Sequence, residues 1–177
     1  NLPDEVINAY MGVEERISEI YFTTSLKNSY ELIQNVLIKS PELFKKEVLD
    51  IKQFQELCDN SYHIPYFHKL FAEEEFRTVV AEGCFPLTPV AAYLLLKISE
   101  KAVQNERTVF TFLTNDEPHS LVSYMEQKKE FQGEYVTGGE VYDYFSKMLK
   151  SDSANVVMHN EWLKAEYALQ SELSKEE

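Results

Sequence analysis

The chain has 177 residues, of which 44% are hydrophobic and 13% aromatic, enough apolar material for a packed core and too much for general disorder. Only 5 Gly and 6 Pro are present, which favours helices over a turn-rich β fold. Thirty acidic residues against seventeen basic ones give a net charge of −13, a field that repels phosphate backbones and makes the chain as a whole a poor nucleic-acid binder.

Apolar spacing of three and four predicts a first helix over 4–25, through Val6, Ile7, Tyr10, Met11, Ile17, Ile20 and Tyr21. A second is expected over 27–39, with Tyr30, Ile33, Val36 and Leu37 on one face. Ser40-Pro41-Glu42 is a restart: a serine that can cap, a proline suited to the first turn, and a carboxylate at the positive end. The helix that follows to about Cys58 can break at Asp50-Ile51, and residues 59–65 read as a loop. Residues 66–81 read as helix, ended by Gly83. Pro86 and Pro89 then enforce an extended passage, because the residue before each is biased away from helix.

Thr88 is the expected cap and Pro89 the first residue of a helix running to about Val103. Its run Val90 to Leu96 is apolar nearly all round, the mark of a central buried helix, and is too short to span a bilayer. Thr108 to Thr114 alternates threonine with large apolar groups and is the best strand candidate, with a buried helix as the alternative. Asn115-Asp116-Glu117-Pro118 is a capping sequence before a helix to about Gln127. Residues 128–139, with three glycines, read as an exposed loop. Helices are expected over 140–150 and 157–173. The expected fold is therefore mainly α, a multi-helix bundle-like domain with at most one or two short strands near 108–114, with helical subdomains 1–82 and 83–177 packed as one compact unit.

The chemistry-bearing residues are sparse. No phosphate loop or GxGxxG run is present, and Gly138-Gly139 before a helix is better read as a flexible helix start than as an anion site. His63 and His68 flank Pro65 and would not share a helix face; His119 and His159 are isolated. Cys58 and Cys84 have no metal or disulfide spacing and read as reduced, packed thiols of a cytoplasmic protein. The pairs Lys45-Lys46 and Lys128-Lys129 are solvated helix faces by preference. No signal-peptide pattern is read at the N-terminus, and the opening Asn-Leu-Pro fits a piece of a longer chain, as processing or a trimmed tag also would. Tyr62, Tyr66 and Phe67 form a candidate aromatic docking face. In Gln104-Asn105-Glu106-Arg107, the arginine is either a local helix-end cation or a group held out toward a nucleotide.

The stretch CFPLTPVAAYLLLKISEKAVQNERTVFTFLTNDEP, residues 84–118, together with VYDYF at 141–145, resembles a block of very large bacterial P-loop ATPases. The match rests on Pro86-Leu87, Pro89, Ala92, Ser99, Gln104 to Thr108, and Phe110 to Leu113. Some of these proteins are encoded among phage-defence or restriction-like systems. The resemblance covers 84–145 and implies a helical region downstream of the ATPase core: a lid, regulatory or oligomerisation segment with no catalytic residues of its own. ATP and Mg²⁺ would then belong to the parent protein, the partners would be the rest of that chain or neighbouring protomers, and Arg107, with Asn105 and Glu106, becomes the nucleotide-sensing candidate. The alternative is an independent helical module for protein–protein interaction.

Overall fold

A computed structural model of the chain describes residues 26–49, 51–101, 105–128, 135–151 and 156–173. The expected helix over 4–25 lies outside them. The described chain is mainly α, and no strand occurs among the described residues. Its elements are α1 (Leu26–Val36), α2 (Pro41–Phe44), a π-helical segment Lys45–Leu49, α3 (Lys52–Tyr62), α4 (Pro65–Leu70), α5 (Glu73–Glu75), a second π-helical segment Phe76–Glu82, α6 (Pro89–Lys101), α7 (Asn105–Thr114), α8 (Leu121–Gln127), α9 (Gly138–Ser151) and α10 (Val156–Leu173).

Helix α6 is the hub. It packs against α7, α9, α3 and the second π-helical segment. Ala91, Ala92, Leu95 and Ser99 recur at helical spacing and are fully buried, so small side chains let the neighbouring helices approach. Val90 stays at 39% exposure, so the expected all-round burial is limited to this face. The predicted start is observed: the Ala91 amide donates to Thr88 Oγ1 at 3.1 Å, and Pro89 opens the helix.

Ser40 departs from its expected role. Pro41 does open α2, but the Ser40 hydroxyl makes no cap hydrogen bond; the residue is exposed, where water can satisfy the helix-end amides.

Three other expectations are corrected. Residues 108–114 are helical, forming most of α7. Val109, Phe112 and Leu113 are the buried set, at spacings of three and four, whereas a strand would bury alternate residues. Packing on α6 and α8 overrides the β preference of Thr, Val and Phe. The loop expected over 59–65 shrinks to His63 and Ile64, because Phe54, Cys58 and Ser61 form a buried stripe that carries α3 through weak helix formers. Within the expected helix 66–81 the chain breaks at Phe71, whose extended backbone buries its ring edge-on against Tyr30, centroids 5.6 Å apart.

Part of the loop expected over 128–139 is also held in the interior. Val136 is 1% exposed; its amide donates to Pro86 O and its carbonyl accepts from Thr88 N, both at 2.9 Å. This isolated bridge pairs Leu87 with Val136. The Phe85–Pro86 bond beside it is cis. Aromatic packing crosses the expected 82/83 subdomain boundary: Phe85 meets Phe44, Phe54 and Tyr135 with centroids 5.2–6.4 Å apart.

Both cysteines are buried. Burial pushes the Cys84 thiol up to about 12, and Lys39 nearby only partly opposes it. Burial likewise raises Cys58 to about 11 against the pull of Arg77. The reactive thiolate is thus scarce at both sites. Ellman's reagent at pH 8 is expected to titrate both thiols in denaturant and to react with the native protein at least about 10²-fold more slowly. Rapid native labelling of Cys84 would contradict its position in the core.

Candidate functional site

Helix α7, the connection that follows it and helix α9 meet at one end of the block that carries the sequence resemblance. Asn105, Glu106 and Arg107 form the first described turn of α7. The corrected state of 108–114 changes their setting: Arg107 precedes more helix, not a strand. Thr108, the next residue, lines a cleft of about 380 Å³ together with Glu117, Pro118 and His119 of the α7–α8 connection and Asp143, Tyr144, Phe145, Lys147 and Met148 of α9.

The connection is pre-formed by its own hydrogen bonds. Ser120 is fully buried and caps α8 through the Ser123 amide at 3.2 Å, and its hydroxyl also accepts from the Glu117 amide at 3.3 Å. His119 takes a left-handed backbone, φ 66°, a conformation His tolerates better than most side chains. Across the cleft the Tyr144 hydroxyl donates to a Glu117 carboxylate oxygen at 2.9 Å. Burial, then that bond, then the charge of Glu117 hold the Tyr144 phenol well above its ordinary pKa, so it remains a donor. Phe112 packs edge-on beneath the Tyr144 ring at 5.0 Å, and Phe145 packs beside it at 5.0 Å. The cleft wall is therefore apolar and fixed, with carboxylates at its rim.

The glycine pair at the start of α9 is not an anion site. Thr137 and Glu140 form a capping box: one Glu140 oxygen accepts from the Thr137 amide at 2.7 Å and from its hydroxyl at 2.5 Å. The chain's own carboxylate already occupies the position a phosphate would take.

The aromatic trio separates. Phe67 is 2% exposed, with its ring against Phe76, Tyr66 and Tyr93 at 5.1–6.4 Å. Its place on a docking face is thereby corrected: it belongs to the core. Tyr62 and Tyr66 are half-buried and pack against that core. A second hollow of about 400 Å³ lies near Tyr62, lined also by Cys58, Asp59, Glu73, Glu74, Phe76 and Arg77. Arg77 is engaged internally, donating to Gln55 and facing Glu82 at 3.9 Å. Lys128 sits over the Tyr124 ring at 5.5 Å, and Lys129 lies outside the described residues. Among the described residues no His, Cys, Asp and Glu cluster could hold a metal, and no helix is long and apolar enough to cross a membrane.

Sequence reasoning singled out Arg107 but missed the cleft beside it. Its polar lining residues come from segments 35 residues apart in the chain, Thr108 to Asp143, and no spacing rule links them. The VYDYF match at 141–145 was the available signal, since Asp143, Tyr144 and Phe145 all line the cleft. No protein-family model, curated protein or solved structure matches the chain.

Proposed function

We propose that this chain is a non-catalytic helical segment of a larger P-loop ATPase, acting as a lid, relay or assembly surface for an ATP- and Mg²⁺-binding core elsewhere in the parent protein. The observation that carries the reading is the packing of the resembling block. Leu87, Ala92, Ser99, Phe112, Leu113 and Phe145, all within it, are buried, and α6 joins α7 and α9 into one frame. The resemblance therefore falls on residues that build a rigid support, which suits a part that transmits position rather than one that performs bond chemistry. A bacterial, cytoplasmic setting belongs to the same proposal.

The test is hydrogen exchange on the longer protein with and without ATP and Mg²⁺. Residues 84–118 are expected to change protection on nucleotide addition; identical exchange in both states sinks the relay. Arg107→Ala in that protein is expected to lower ATP turnover about tenfold or more, a loss of about 1.4 kcal/mol in transition-state stabilisation, with an unchanged unfolding midpoint. Unaltered turnover removes Arg107 from any nucleotide contact.

One observation favours the second reading, an independent interaction module. Val156, Leu163 and Tyr167 of α10 are 63%, 47% and 77% exposed, and their spacing of seven and four places them on one stripe.

A further inference from the structure

We propose that the cleft between the 115–120 connection and α9 is a receptor for one long basic side chain, lysine or arginine, presented by a partner protein. The inference stands on the cleft itself and does not require the ATPase reading.

The wall and the rim ask for different things of a ligand. Tyr144, Met148 and Pro118 supply an apolar wall, backed by Phe145, which is itself only 1% exposed. Glu117 and Asp143 supply two carboxylates, and Lys147 one ammonium. A ligand that fits has an apolar stem ending in a positive charge. The methylene stems of lysine and arginine lie along apolar surface while their heads reach a polar rim. A guanidinium can also stack on an aromatic face while it meets a carboxylate.

Glu117 is aimed by the Tyr144 hydroxyl at 2.9 Å and by the Asn115 side-chain amide at 3.4 Å, and a carboxylate has further lone pairs for another donor. Asp143 and Lys147 stand four apart on α9, yet among the described residues no ion pair engages either. The Asp143 charge is therefore available to a ligand. Lys147 alone would favour an anion, but two local carboxylates and a net charge of −13 outweigh it. A volume of about 380 Å³ accommodates one such side chain with part of its backbone.

The experiment is an amide-resolved NMR titration of the chain with N-acetyl-arginine amide and N-acetyl-lysine amide. Their neutral and anionic counterparts, N-acetyl-glutamine amide and N-acetyl-glutamate amide, serve as controls. Saturable shifts are expected at residues 108, 117, 119 and 143–148 with the basic probes and not with the other two. Glu117→Gln keeps an acceptor for Tyr144, and Asp143→Asn alters an exposed residue, so both variants should fold. Together they are expected to weaken the basic probes about tenfold. The assignment is overturned if no saturable shift maps to the cleft, if the glutamine probe binds equally, or if the double variant binds undiminished. Equal binding of methylguanidinium, which lacks the stem, also overturns it, because the apolar wall would then take no part.

Discussion

Phe112→Ala is expected to lower the unfolding free energy by about 3–5 kcal/mol, read as a shift in the urea midpoint. Phe112 is fully buried on α7, and its ring meets Tyr144 edge-on at 5.0 Å. Truncation removes the transfer free energy of the ring and leaves a cavity between α7 and α9. Against a typical total of about 5–15 kcal/mol, the loss is a large share of the fold's stability. Phe110→Ala on the same helix is the control. At 36% exposure Phe110 is expected to lose much less, about 1 kcal/mol. The pair also tests the state of 108–114. A strand would place positions 110 and 112 on one face and make their costs similar, whereas a helix separates them by about 200°.

The second large effect is expected at Gly83. Its backbone is ordinary helical, φ −62°, ψ −45°, so space and not left-handed conformation demands glycine here. A Cβ would press into the Val79 carbonyl oxygen and lie 2.8 Å from the Val79 carbonyl carbon and 3.0 Å from Thr78 O. These are backbone atoms of the π-helical segment and cannot swing aside as a flexible side chain could. Gly83 O also accepts from Lys39 Nζ at 2.6 Å, which ties this corner to the end of α1. Gly83→Ala is expected to cost about 3 kcal/mol, the upper part of the usual overpacking range. Gly139→Ala, whose Cβ would find only Thr137 Oγ1 at an ordinary 3.5 Å, is the comparison and should leave the midpoint nearly unmoved. Equal effects from the two substitutions would contradict the backbone clash.

Lys27 and Glu75 illustrate a contact that carries little. They pair at 2.6 Å across α1 and α5, and hydrogen bonding from Lys27 holds the Glu75 carboxyl below its usual range. Both side chains are more than a third exposed, so water screens the pair and the fold rests on its aromatic interior.

The sequence by itself determined the helical class, the start of α6 at Thr88-Pro89, the break at Ile51 and the two C-terminal helices, because caps, prolines and three-four spacing act within one or two turns. It also marked VYDYF, although not what those residues line. Only the tertiary structure decided the state of 108–114. Alternating threonine and large apolar residues suit a strand locally, but burial against α6 and α8 selects the helix that hides Val109, Phe112 and Leu113 together. Tertiary packing likewise carried Phe67 into the core and Val136 onto the Leu87 bridge. The cleft belongs to this second kind. Glu117 and Tyr144 are 27 residues apart, and their hydrogen bond exists only because the 115–120 connection and α9 converge beside α7, which no local pattern encodes.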